Sequence, residues 1–525
     1  MWSFTYPAIV TTLQDDRAII VQVVANSPIF NGTDDADGKQ FRLQFASQWR
    51  GFTVTQVTSP TTAVGTFTDY IPFDLNNAAN IYSGGFADNF RHGAWNSVDG
   101  WPSIVGFYDQ RLIWANTTSQ PSTLWFSQSA DYANMAPTEE DASVIATDAI
   151  YATIASGNVD PITWIRSGQV LLIGTFSGEY EIVPPGNGSL GPTNISITQQ
   201  SAYGSLSPTN AFKFGVATIF LQRGGNKVRE MLYQFQFNAF NSKDISIVSE
   251  HIMRTRSGAK QMAYQVDPVS IFWIVCNNGD LVGCTYDRDQ DIVAFHPHTI
   301  SGGTVESAAV VPNSTRDDVY LVVNRTVGGS TVRYIEMIST MFDTDAGDTL
   351  ATMNLLDCSA TYSGSPATNI SGLAYLNGET VYAIADGKLV GPFTVTAGTI
   401  TLGVAASAVI VGLTYTSTFG SLSPEGGSQI GTSQGKRKTI KEISIRVKDS
   451  LPFKHGANLS DLTLIDAANF GTDLNADGSQ GALKTGDVRF SPDLAWDQQA
   501  TYYIVQDQPY PLTIDSLMPI LVSNE

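Results

Sequence analysis

An all-β chain built around a β-propeller, with a small β-barrel and a sandwich-like β-domain appended, is the fold the sequence predicts. Three observations predict it. Helical periodicity is nearly absent. Apolar runs of four to seven residues are punctuated by Gly, Asn-Gly and Pro. The strongest of those runs recur about every 50 residues, the spacing of propeller blades.

Residues 1–95 form an N-terminal, platform-like region with short strands at 18–24, 41–45 and 52–57. The blades follow over 96–345. Their repeat is carried by Arg111-Leu112-Ile113-Trp114, Val170-Leu171-Leu172-Ile173, Thr218-Ile219-Phe220-Leu221, Ile271-Phe272-Trp273-Ile274-Val275 and Val319-Tyr320-Leu321-Val322-Val323. From Leu112 through Leu171, Ile219 and Phe272 to Tyr320 the steps are 59, 48, 53 and 48 residues. Four runs lead through a tight-turn signal into an answering strand, at 179–183, 228–233, 281–286 and 331–335. A blade's inner strands are covered on both faces, so unbroken apolar runs are expected there rather than strict alternation. The best helix candidate is 138–150, with a Thr138/Asp141 capping pattern.

Residues 346–420 are expected to hold the inserted small β-barrel, with strands at 379–385, 391–396 and 408–412 turning at Asp386-Gly387 and Ala397-Gly398. The Gly/Ser-rich stretch 424–435 reads as a linker. A C-terminal β-domain fills 421–525, with strands at 438–447, 500–506 and 512–522, and is expected to return to the propeller or join the platform.

Composition narrows the function. The 525 residues exceed one core, so two to four structural units are expected. Only 15% are charged, against about 25% in an ordinary soluble protein. A surface so rich in neutral polar residues suits a protein covered by copies of itself or by neighbours. The 29 basic and 49 acidic side chains give a net charge of −20, which argues against binding nucleic acid through its phosphates. An acidic wall has another use, repelling DNA so that it does not stick. The one compact basic run, Lys436-Arg437-Lys438, reads as a solvated strand start or an inter-subunit contact. Cys276, Cys284 and Cys358 form neither a disulfide framework nor a zinc spacing. Cys276 and Cys284 flank a hairpin turn and are expected to be small apolar fillers in a reduced protein. The opening MWSFTYPAIVTT lacks a signal-peptide pattern, and no run approaches the roughly 18 apolar residues of a membrane span. The expectation is a soluble product of the cytosol.

A series of motifs then carries a resemblance. GWPSIVGFYDQRLIW (100–114) and TLWFSQSADYANM (123–135) are followed by VLLIGTFSGEYEI (170–182), AYGSLSP (202–208) and FLQRGGNKVREMLY (220–233). After them come SEHI (249–252), GDLVGCTYDRDQDIVAFHPH (279–298), TVRYIEM (331–337), GKRKTI (435–440) and QDQPYPLTIDSLMP (506–519). In this fixed order they resemble the tail nozzle proteins of short-tailed bacteriophages, also called tail tubular protein B or stabilisation proteins. The resemblance covers about 90–520. Members carry a longer N-terminal portion before the Trp-Pro motif, so part of the upstream docking module is expected to be missing here.

The resemblance implies a virion structural protein made in the host cytoplasm. It implies a homo-oligomeric ring, a hexamer, below the tail adaptor ring and in contact with tail fibres or tip proteins, with DNA passing through the lumen during ejection. It implies no catalysis and no cofactor. Residues 451–525 carry ten acids and three Lys/Arg, a local net charge of −7, and are expected to line the lumen. The alternative is a tail-associated propeller that binds carbohydrate or docks a fibre, for which Trp and Tyr should cluster exposed in a polar cleft.

The remaining motifs read mostly as structure. Asp473, Asn475 and Asp477 open an EF-hand-like loop, but Lys484 stands where the bidentate Glu belongs, so a solvated turn outweighs a calcium site. Asp34-Asp35-Ala36-Asp37-Gly38 is weaker. His296-Pro297-His298 places two imidazoles at i, i+2 with no third ligand in view. Glu179/Glu181 and Asp287/Asp289/Asp291 are the carboxylates a glycosidase reading would need, yet each set points one way instead of facing across a cleft.

Overall fold

The computed structural model describes residues 3–5, 20–24, 30, 40–45, 48–67, 89–92, 94–95 and 99–523, apart from 140–142, 158, 187, 429–430, 472–480 and 493. The chain divides into two compact units, Met1–Met262 and Ala263–Glu525. Almost all regular backbone is strand, and the α-helices among the described residues are the short Glu250–Arg254 and Ala467–Phe470. None is long and apolar enough to cross a membrane.

The first unit opens with a six-stranded antiparallel sheet, in the order Ser3–Thr5, Ile20–Val24, Thr62–Phe67, Gln48–Ser59, Gln40–Phe45, Asn89–His92. Three four-stranded meanders of propeller-blade type follow. The first runs Ile104–Tyr108, Arg111–Ala115, Thr123–Phe126, Ile150–Thr153. The second runs Ile162–Ser167, Leu171–Thr175, Glu179–Val183, Ser196–Ser201, and the third Phe212–Phe214, Ala217–Leu221, Val228–Gln234, Ala239–Asp244. The fourth, Ala259–Gln265, Ile271–Cys276, Leu281–Asp287, Ile292–His298, begins with the strand in which the division between units falls. The fifth has three strands, Gly303–Pro312, Asp317–Val327 and Ser330–Met337.

Each of the five recurrent apolar runs lies in the second strand of successive meanders. A second strand has a neighbour on either side; Arg111–Ala115 and Asp317–Val327 alternate between buried and half-buried residues, whereas the second strands of the middle three meanders are covered on both faces. Leu171–Thr175, Ala217–Leu221 and Ile271–Cys276 are buried at every residue. The first and second meanders share one apolar core, including Ile113, Phe126, Ile165 and Ile173. The second and third meet through Trp164, Leu172, Phe220 and Met231. In the second unit Trp273, Val275, Val305 and Val323 join the fourth and fifth. The first meander turns at Asp109 and Gln110, both at positive φ, the geometry of a two-residue hairpin that follows strand twist.

Beyond the meanders lies a four-stranded sheet ordered Asp357–Ser371, Thr399–Leu413, Thr380–Ala385, Lys388–Thr394 over its own core. Asp386-Gly387 and Ala397-Gly398 make its turns at positive φ, as their chemistry predicts. The C-terminal region holds two more sheets. One is ordered Ser417–Gly420, Tyr503–Gln506, Lys454–Asn458, Asp461–Leu464, and the other Lys484–Phe490, Lys438–Ser450, Thr513–Ser523.

Two expectations are corrected. The stretch 143–149 is not helical, and Ile150 opens a strand. Arg111, distant in sequence, donates to the carbonyls of Ala146, Thr147 and Asp148, and the nearby Asp148 carboxylate accepts from the amide of Ile145, so side-chain bonds replace the helical ladder. The expected linker 424–435 folds back as a small hairpin, Gly427–Ser428 against Gly431–Thr432.

Candidate functional site

The polar side chains that sequence reading singled out fall into separate buried networks. In the second meander the Glu179 carboxylate has no exposure. It accepts from the hydroxyls of Ser201 and Ser205, the latter at 3.1 Å. Burial raises its pKa, against the lowering effect of those bonds and of Arg229. Arg229 comes from the third meander, donates to Gln222 Oε1 at 2.7 Å and to the Ser242 carbonyl at 2.8 Å, and lies 3.3 Å over the Tyr203 ring. Glu181, two residues on, receives Gln200 Nε2 at 2.9 Å, and the Gln200 oxygen accepts from the Phe240 amide. The pair forms polar rungs between two meanders. Glu179 is sealed from solvent, whereas Glu181 is half-buried.

Asp287, Asp289 and Asp291 do not face one another across a cleft either. Asp287 Oδ1 accepts from the amides of Asp289 and Gln290, and Asp291 sits at positive φ, so the triplet builds the hairpin turn.

His296 and His298 do come together. Their ring nitrogens approach to 2.7 Å, and His296 Nε2 lies 3.0 Å from the Thr285 hydroxyl. Both rings pack on Trp273. Burial lowers both pKa values, that of His298 to about 4 with a further push from His296. Among the described residues no group of three His, Cys, Asp or Glu is placed to hold a metal. The weak calcium candidate Asp473, Asn475 and Asp477 lies outside the described residues, as does 34–38.

Cys276 and Cys284 are buried as fillers, and Cys284 stands opposite Phe272 in the ladder, not opposite Cys276. Of the basic run, Lys438 is not solvated. Its side chain has no exposure and donates to the Pro424 carbonyl at 3.0 Å and to Glu425 Oε1 at 2.8 Å, which pins the 424–435 hairpin. Arg437 donates to the Trp496 carbonyl.

In 451–525 the acids are less available than their count suggests. Asp487 is paired with Arg446, Asp507 with Lys454, and Asp497 caps the amides of Gln498 and Gln499. Arg446 stands just upstream of the counted segment.

Sequence reading missed two further networks. Arg111, 1% exposed, gives its guanidinium to the carbonyls of Ser127, Asp148, Ala146, Thr147 and Leu190. In the second unit Arg325, equally buried, grips both oxygens of Glu336 at 2.5 and 2.7 Å. Beside it Asp357 accepts the Ser301 amide at 2.7 Å, and burial pushes its carboxyl up to about 6. The signal was available: an arginine inside a strand of apolar residues must find partners if buried.

No family model and no curated protein matches the chain. Solved structures with some likeness include a candidate 6-phosphogluconolactonase from Bacteroides uniformis, at 9% identity over 61% of this chain and 85% of that one, with a TM-score of 0.30. An auxiliary nutrient binding protein from Bacteroides thetaiotaomicron matches at 9% identity over 63% and 84%, with a TM-score of 0.26. A protein from Lactobacillus plantarum matches at 10% identity over 71% and 99%, with a TM-score of 0.28. TM-scores this low assign no activity and no ligand to the chain.

Proposed function

We propose that this chain is a structural virion protein, the tail nozzle subunit of a short-tailed bacteriophage, and not an enzyme. Its copies close into a ring, a hexamer, below the tail adaptor ring and above or beside fibre or tip proteins, and DNA leaves through the bore. The observation that carries the reading is the ordered motif series: most of its members between 100 and 337 overlap strands of the five meanders, 202–208 and 249–252 fall between those strands, and the last two overlap strands of the C-terminal sheets. The burial of charge supports it: Arg111, Glu179 and Arg229 hold strands and meanders together, which is the work of a scaffold. Acidic and neutral polar residues lining the bore repel phosphates and let DNA slide.

A carbohydrate-binding or fibre-docking propeller is the second reading. Exposed Trp101 and the exposed edge-to-face pair Phe107–Tyr132, with ring centroids 5.6 Å apart, favour it. Against it, Trp125, Trp164 and Trp273 are buried. Negative-stain imaging of the purified protein separates the two readings, since a nozzle gives hollow rings and a binding module gives single particles.

A further inference from the structure

The last strand of the fourth meander, Ile292–His298, carries His296 and His298 on one face and turns Pro297 to the other. The ladder sets His296 opposite Gly283 and His298 opposite Leu281, and Thr285 follows Gly283 on that same face. A Cβ on Gly283 would stand 2.1 Å from His296 Cε1, so the glycine lets the imidazole lean across the neighbouring strand. Because Cε1 lies between the two ring nitrogens, this seat presents one nitrogen to either side. Nε2 lies 3.0 Å from the Thr285 hydroxyl, and Nδ1 lies 2.7 Å from His298 Nε2. Trp273 backs both rings, with centroids 6.4 and 4.9 Å away. Both imidazoles are half-buried, so solvent reaches them.

These are the parts of a metal chelate. Imidazole nitrogen suits zinc and copper, whereas magnesium and calcium seek oxygen. Burial disfavours the charged form of both rings and leaves their lone pairs free at neutral pH. Without a cation, one N–H bridges the gap between His296 and His298. A cation entering there takes the place of that proton, which moves to a far ring nitrogen. On His296 the far nitrogen is Nε2, and the Thr285 hydroxyl is in place to accept from it. Metal-bound imidazoles are ordinarily oriented by such a bond on the far nitrogen. Two nitrogens about 2.0–2.1 Å from a tetrahedral zinc stand about 3.3 Å apart. The rings must therefore part by about 0.6 Å from their 2.7 Å separation, a small turn on a strand with no outer neighbour.

We propose that His296 and His298 form a two-imidazole site for a divalent cation of the zinc–copper class. Thr285 is its positioning residue, and the remaining coordination positions take water or an incoming carboxylate. The site is independent of the ring reading, and either stands if the other falls.

Calorimetric titration of zinc chloride into the chelator-treated full chain tests the site. One zinc per chain is expected. His296→Gln and His298→Gln are each expected to weaken it at least about tenfold, and Thr285→Val about tenfold. X-ray absorption at the zinc edge of the wild-type complex needs no variant and is expected to show two imidazoles on the metal. Zinc that does not bind, or that binds equally well to both glutamine variants, overturns the site and leaves the pair a hydrogen bond alone. Coordination by oxygen only overturns it as well, even where the variants fail to fold. Full affinity in a folded Thr285→Val overturns the positioning role of the threonine.

Discussion

The Trp273 indole and the His296 imidazole meet edge to face, with centroids 6.4 Å apart and planes at 88°, across Gly283, which stands between them in the ladder. A Cβ on Gly283 would lie 2.1 Å from His296 Cε1. Trp164 lies over Gly174 in the same way, with its Cε2 2.1 Å from the site of a Cβ. In both places glycine makes room for a ring on a neighbouring strand. Gly283→Ala and Gly174→Ala are therefore expected to destabilise by about 1–3 kcal/mol, the cost of overpacking a filled core. Urea midpoints measure this, and unchanged midpoints would refute the ring-over-glycine packing.

Arg111 is expected to tolerate no apolar replacement. Arg111→Met leaves several buried carbonyls without a donor, at about 1–3 kcal/mol for each that water cannot reach. A loss of at least about 3 kcal/mol in chemical denaturation is expected, together with faster hydrogen exchange in 143–149.

Asp357 gives a pH signature. Its folded pKa of about 6 lies above the roughly 3.9 of an unfolded Asp. The folded state thus holds its proton more tightly, and the stability this confers is present below about pH 4 and lost as pH rises through 6. Asp357→Asn keeps an acceptor for the Ser301 amide and removes the charge. At pH 7 it is expected to gain about 1–2 kcal/mol over wild type, discounted for partial exposure, and at pH 4 nothing. Thermal melts at the two pH values decide it; an equal gain at both contradicts the assignment.

His298 works in the opposite direction. Its folded pKa of about 4 lies below the ordinary value near 6.5, so its contribution is present above 6.5 and lost as pH falls through 4. Histidine NMR resonances should show His298 still neutral at pH 5.5. Titration of His298 near 6.5 would place its ring in water.

Much of the architecture was legible in the chain. The fifty-residue recurrence marked the second strand of each meander, because that position lies between two neighbouring strands and, in the second, third and fourth meanders, is buried at every residue. Asp386-Gly387 and Ala397-Gly398 were legible because two-residue hairpins need positive φ. The failed helix at 138–150 was not, since Arg111, thirty-five residues from Ala146, diverts its carbonyls, and no local pattern reports so distant a donor. Lys438 misled for a similar reason: a lysine in a basic run reads as solvated until Glu425 and the Pro424 carbonyl are seen beside it. Glu179 misled as well: a same-facing Glu179/Glu181 pair on a strand reads as a solvated face, but Ser201, Ser205 and Arg229 come from elsewhere in the chain and make Glu179 a buried rung.

The mass of the purified assembly tests the central claim most directly. The nozzle reading predicts a closed multiple of the 56.5 kDa chain, six copies, with a hollow centre in negative stain. A stable monomer at micromolar concentration would contradict it.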